Sequence, residues 1–300
     1  MAVGVLALVA FLGAAGCQPA PPAGAAATAT ATVPAPTQYY PARGIVRELP
    51  ADGKTALVEH EAVKDFMPAM TMPFEVRDTN ELRGLHVGDA ISFRMVVVPD
   101  RDAWIDQVRK LNVPPSPAPA PAAYRVVRDV EPLKVGDELP EYHFTNQLGR
   151  AVSTKDFAGQ ALAFTFFFTR CPYPTFCPLM SRNFSDAQAK LLAQSGGPAN
   201  WHLLAVSFDP EYDAPDVLKA YADRFNYDPA HWDFVSGNLL EITALADQVG
   251  EAFWREAGSI SHNLRTVVVD ARGRVQKIFP ENKWTSDELV AELVKAAAAK

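Results

Sequence analysis

The run VPPSPAPAPAA at 113–123 constrains this 300-residue chain more than any other feature. Its repeated prolines lack backbone donors and hold φ near one value, so no helix or interior strand passes through it. As a semi-rigid polyproline II linker, at about 3.1 Å per residue, it spans about 30–35 Å. A second run, QPAPPAGAAATATATVPAPTQ at 18–38, lacks the large apolar residues a core needs and reads as a tether over 17–39. Two folded pieces remain, 40–112 and 124–300.

The first sixteen residues, MAVGVLALVAFLGAAG, read as a secretory signal with a short apolar core and small residues before Cys17. No later segment has the ~20 apolar residues that spanning a membrane takes. The sequence Ala14-Ala15-Gly16-Cys17 resembles a bacterial lipobox. That resemblance implies acylation of Cys17, a membrane anchor and a lipoprotein-type signal over 1–16; a plain signal peptide cut near this point, or a true start that lies further upstream, is the alternative. If the lipobox holds, the protein is expected outside the cytoplasm, in the periplasm or on the outer face of a bacterial membrane, where disulfides persist. Of the three cysteines, Cys171 and Cys177 then remain for chemistry. A formal net charge of −7 argues against a nucleic-acid partner, because phosphate neutralisation needs clustered Lys and Arg.

The first piece carries five short strand-like runs, GIVREL, TALVEHEAV, TMPFEV, AISFRMVVV and WIDQVRKL, separated by turn signals such as ADGK and HVGD. They predict a small closed all-β barrel. The second piece alternates. ALAFTFFF, HLLAVSF and WDFVSG read as strands; SRNFSDAQAKLLAQ, PDVLKAYADRF and NLLEITALADQVGEAFWRE read as helices. LRTVVVDARGRVQKIF reads as a hairpin, and a last helix opens on the capping-box pair Thr285 and Glu288. This alternation predicts a layered α/β sheet.

Within "TRCPYPTFCPLM" (169–180), Cys171 is expected to leave a buried strand and Cys177 to start the next helix. The helix dipole there, with Arg170, favours a thiolate, which serves either disulfide exchange or soft-metal binding. The prolines stiffen the loop. A third donor is sought among six histidines, and His262, in "GSISHNLRTVVVD", stands directly before a strand.

Most of 133–298 resembles the SCO/SenC family, thioredoxin-like copper proteins used in assembling cytochrome c oxidase. The resemblance is carried by "VGDELPEYHFTNQLGRAVSTKDFAGQ", the strand entering "TRCP", "CPLM", "VSFDPEYDAPDVLKAYA" and "SHNLRTVVVD". It implies copper bound by Cys171, Cys177 and His262. The family usually places three residues between the cysteines; this chain has five. Two thiolates and an imidazole are a soft donor set suited to Cu(I) and able to hold Cu(II). Structural zinc normally takes four protein ligands, and iron–sulfur clusters take more cysteines than remain.

In the first piece, "FMPAMTMPF" (66–74) holds Met67, Met70 and Met72. Met70 and Met72, two apart, share one side of a strand. Methionines fill irregular interiors, but thioethers also bind Cu(I) and cannot form disulfides. With "GIVREL", "VEHEAV" and "GLHVGDAISF", this stretch is similar to the periplasmic copper-binding domain of the CusF type, which implies a five-stranded OB-like barrel. The resemblance implies His60, Met70 and Met72 as ligands. The family's tryptophan, which covers the ion by a cation–π contact, is here Met67, with Phe66 beside it. Either Met67 adds a sulfur or Phe66 takes the aromatic role.

Other residues carry no site. His86 reads as surface, His143, His202 and His231 as structural, and Asp209 as a strand-end cap. The expected function is a tethered copper chaperone delivering to a cytochrome c oxidase subunit that carries a copper site. The alternatives are a thiol–disulfide oxidoreductase using Cys171 and Cys177 as its redox pair, and a copper sequestration protein.

Overall fold

The computed structural model describes residue 1 and residues 36–99, 101–112, 129–256 and 259–299. The secretory signal beyond Met1, Cys17 and the 113–123 linker lie outside the described residues. Ala35–Lys300 forms one compact unit.

The first sheet is antiparallel throughout. Its strands β1 (Gln38–Glu48), β2 (Thr55–His60), β3 (Met70–Glu75), β4 (Ala90–Val98) and β5 (Asp102–Lys110) lie in the order β3-β2-β1-β4-β5. Alternation along β2 and β3 buries Ala56, Val58 and His60 on one strand and Met70, Met72 and Phe74 on the next. His60 stands opposite Met70 in the ladder, and Val58 opposite Met72. Bulges in the β1–β2 and β4–β5 ladders add local twist and curl the sheet. Its two edge regions touch at a single bridge among the described residues, Val76 to Ile105. The expected barrel is therefore a curled five-stranded sheet joined at one point.

The second sheet has seven strands. β6 (His143–Asn146), β7 (Ala151–Ser153), β8 (Ala161–Phe167), β9 (Trp201–Ser207) and β10 (Trp232–Gly237) precede the hairpin of β11 (Phe253–Glu256) and β12 (Ser259–His262), which forms a separate two-stranded sheet. β13 (Arg265–Val269) and β14 (Val275–Pro280) complete the large sheet, in the order β14-β13-β8-β9-β10-β6-β7. β8, β9 and β10 run parallel; the other neighbours are antiparallel. Every residue of β8 and β9 is buried, as continuous apolar strands covered on both faces should be. Helices α1 (Cys177–Ala193) and α2 (Pro215–Ala222) link the parallel strands, and α3 (Leu239–Gln248) follows β10. α4 (Ser286–Ala297) packs on α1 and β8. Thr285 and Glu288 form the expected capping box. A parallel βαβαβ unit continued by an antiparallel hairpin and a helix is a thioredoxin-like topology.

One segment departs from the sequence reading. The helix expected to run through "QVGEAFWRE" stops at Gln248, and Gly250 takes φ +76°, a left-handed conformation that glycine adopts without a Cβ penalty. The chain then pairs Phe253 opposite His262. The residues read as helix thus form the partner strand of the candidate ligand.

Gly44 controls the close approach of β1 to β2 beneath His60, its partner in register. A Cβ there would lie 2.6 Å from the Glu59 carbonyl oxygen and 2.6 Å from Val58 Cγ1. Gly44→Ala is therefore expected to lower stability by about 1–3 kcal/mol, the usual cost of overpacking. Denaturant unfolding checks this, and an unchanged midpoint would show that β2 gives way freely.

Candidate metal centre

The cysteine loop leaves β8 and is tied down on both sides. Asp213 accepts from the Thr169 backbone N–H at 3.1 Å and from its hydroxyl at 2.5 Å, and it also accepts from Ser207. Further on, the Pro174 carbonyl accepts from Arg182 at 2.8 Å and the Thr175 carbonyl from Asn282 at 2.6 Å. The prolines withhold donors, and these outside groups satisfy the loop's carbonyls. Cys177 is the first residue of α1, with Pro178 in the first turn. Both cysteines are free thiols, Cys171 half-buried and Cys177 fully buried.

His262 closes β12 amid aromatic rings, with Phe208, Phe168 and Phe176 centred 4.7, 6.0 and 6.2 Å from it. Its Nδ1–H donates to the Asn263 carbonyl and to Glu251 Oε1, the latter at 3.2 Å. Those partners fix the tautomer and leave Nε2 facing the sulfurs, 3.8 Å from Cys177 Sγ. Two ligands of one ion, each about 2.0–2.3 Å from it, stand at comparable separations. Glu251 is buried, and its second oxygen has no partner.

The electrostatics differ from the sequence expectation. Burial pushes the Cys171 thiol up, but hydrogen bonds from Cys177 and His262 and the positive charge of His262 bring it down to about 5. Burial and the neighbouring Cys171 thiolate push Cys177 well up, so the residue at the helix start is the protonated one. Burial lowers His262, yet hydrogen bonds and charge from Cys171 and Glu251 raise it to about 9. Burial lifts Glu251 to about 7. Cys171 and His262 therefore form a thiolate–imidazolium pair at neutral pH. Arg170 plays no part in it. Its guanidinium pairs with Asp209 at 2.6 Å and lies 4.3 Å over the Tyr212 ring. Asp209 also binds Arg255 at 3.0 Å, so it is a buried ion-pair hub and not the expected strand-end cap.

Met67, Met70 and Met72 are buried, and all three line a cavity of about 30 Å³ together with Cys171, Tyr173 and His262. Phe66 stacks on Tyr40 at 4.2 Å and is outside this lining; Met67 is inside it. His60 shares the inner face with Met70 but does not line the cavity. Its Nδ1 lies 2.7 Å from the Glu61 carbonyl, while its buried Nε2 has no partner. Burial lowers its pKa and favours the neutral, ligating form.

Among the described residues, no group of three or more His, Cys, Asp and Glu side chains stands arranged to hold a metal ion. Cys171, Cys177 and His262 are adjacent, but they meet as an acid–base cluster. The cavity's donors are thioethers, a thiol and an imidazole, with no carboxylate in the lining. That set fits a soft ion such as Cu(I) and excludes magnesium or calcium.

Glu251 and Tyr173 escaped the sequence reading. The first was hidden inside an apparently continuous helical pattern; the second, inside the cysteine loop, carried no signal of its own. The remaining histidines sit apart. His86 is exposed, His143 is exposed beside Glu141 and Glu241, His202 pairs with Asp233 at 3.0 Å, and His231 stacks on Trp201.

Residues 131–298 match the SCO1/SenC family, and residues 39–110 match the family described as copper binding periplasmic protein CusF. A curated relative, the SCO1 protein homolog of Bacillus subtilis, is 28% identical over 168 residues, covering 54% of this chain and 84% of that protein. BsSco, whose structure was described with a disulfide switch in a Sco family cytochrome c oxidase assembly protein, is 26% identical. It aligns over 57% of this chain and 99% of its own, with a TM-score of 0.48. ScoI of Bradyrhizobium japonicum, solved with copper bound, is 24% identical over 54% of this chain and 99% of its own, with a TM-score of 0.44. The SCO1/SenC match spans more than half of the sequence, and the chain belongs to that family.

The thiolate–imidazolium pair is expected to appear in a pH titration of thiolate ultraviolet absorbance on the reduced, metal-free protein. Cys171 ionises near pH 5, and Cys177 only above the ordinary thiol range. His262→Ala moves the first step upward by removing its positive partner. Two thiols titrating together at ordinary values of about 8.5 would contradict the pairing.

Proposed function

We propose that this protein is an extracytoplasmic copper chaperone, tethered to the membrane through Cys17, that delivers Cu(I) to a copper-site subunit of cytochrome c oxidase. Cys171, Cys177 and His262 are its delivery ligands, and His60, Met67, Met70 and Met72 supply its second donor set. The observation that carries this reading is the convergence of the cysteine loop and His262 Nε2 inside the SCO1/SenC part of the chain. The CusF match over the methionine strand supports it independently.

The chemistry of delivery follows from the donors. Thiolates hold Cu(I) more strongly than thioethers do, so copper flows from the methionine face toward the cysteines. Loading releases the protons held on Cys177 and His262 Nε2, as metal binding to titratable ligands must. Glu251 keeps Nδ1 as the donor, so Nε2 remains the coordinating atom.

A second reading is favoured by the asymmetry of the two cysteines. A thiolate at Cys171 beside a buried, protonated Cys177 is the pattern of an attacking and a resolving thiol in a thiol–disulfide oxidoreductase.

Transfer of Cu(I) from the loaded chain to a soluble oxidase-subunit fragment separates the two. Under the chaperone reading, His262→Ala is expected to reduce the transfer rate at least about tenfold, in the range that ligand-shell changes cost in metal affinity. Reduction of a disulfide in the same fragment then survives His262→Ala better than Cys177→Ser. Undiminished transfer by the His262 variant would favour the oxidoreductase.

A further inference from the structure

We propose that the methionine face of β3 and the cysteine loop form one mixed-sulfur site, holding a single tightly bound Cu(I) between the two domains. This rests on the copper reading above and adds that the two donor sets are halves of one site. Met67, Met70 and Met72 from one domain and Cys171 and His262 from the other line the same cavity. At about 30 Å³ it has room for a water-sized occupant.

The contact beside the cavity is made by the motifs themselves. Tyr173, inside the cysteine loop, meets Phe74 at the end of the methionine motif edge-on, with ring centroids 5.9 Å apart and an interplanar angle of 88°. Tyr173 is buried, and its hydroxyl has no partner. β3 also packs against β12, the strand that ends in His262. At the periphery, Lys283 reaches Asp52 across the same boundary at 3.4 Å. A wider cleft of about 650 Å³ runs between the domains and shares Thr71, Tyr173, Phe176 and His262 with the cavity, which gives the ion a path.

The methionines lining the cavity have no imidazole there except that of His262. Charge favours the combination. Cu(I) held by one thiolate, a neutral imidazole and thioethers carries no net charge, whereas thioethers and imidazole alone would bury an uncompensated cation. In delivery the thioethers give way to the Cys177 sulfur, whose proton is then released.

The test uses the reduced chain without its signal (residues 18–300), labelled with selenomethionine and given Cu(I) against a chromophoric chelator. One equivalent is expected to be retained, and X-ray absorption at the copper edge is expected to show selenium and lighter sulfur or nitrogen scatterers around the same ion. In the unlabelled protein, Met70→Leu/Met72→Leu should weaken retention about 10–100-fold. Leucine conserves the volume of methionine, so the fold is kept. Two retained equivalents, the first without selenium neighbours, would overturn the shared site and leave the copper reading standing. No retained copper would overturn both.

Discussion

The arrangement of the whole site depends on the hydrogen bonds at His262 Nδ1. Asn263 and Glu251 hold that nitrogen as a donor, so the ring presents Nε2 to the sulfurs. The surrounding phenylalanines remove water and would by themselves leave the ring neutral. Glu251 and the Cys171 thiolate reverse that preference. The metal-free cluster is therefore a pair of opposite charges in an apolar setting, and under the copper reading a soft cation would take the thiolate and displace the imidazole proton.

The hairpin of β11 and β12 exists to place this ring. Gly250 ends α3 sharply, Phe253 pairs opposite His262, and Glu251 lies between, close enough to reach Nδ1. On the other side, Asp213, Arg182 and Asn282 fix the cysteine loop without occupying either sulfur. The sulfurs and the ring are thus set by separate elements and meet at their ends.

Much of this was legible in the sequence, for identifiable reasons. The buried parallel strands announced themselves as continuous apolar runs, and the two-residue spacing of Met70 and Met72 put them on one side of a strand, where His60 of the preceding strand joins them. Those patterns gave an all-β first piece and a layered α/β second piece; that the first is OB-like and the second thioredoxin-like was implied by the family resemblances. Three features were not legible. Glu251 lay in a segment whose apolar spacing resembles a continuing helix, and a single glycine ended it. Arg170 looked available to the thiolate because its buried partner, Asp209, lies on a distant loop. The meeting of methionines and cysteines had no local signature at all, since Tyr173 and Phe74 are joined only by tertiary packing.

The central claim is that one copper ion sits where the two motifs meet. Crystals of the reduced chain with one equivalent of Cu(I), measured on both sides of the copper absorption edge, test it most directly. The account predicts a single anomalous peak bounded by a β3 methionine sulfur, Cys171 Sγ and His262 Nε2. Separate peaks, one beside His60 and one beside Cys177 with the methionines distant, would contradict it.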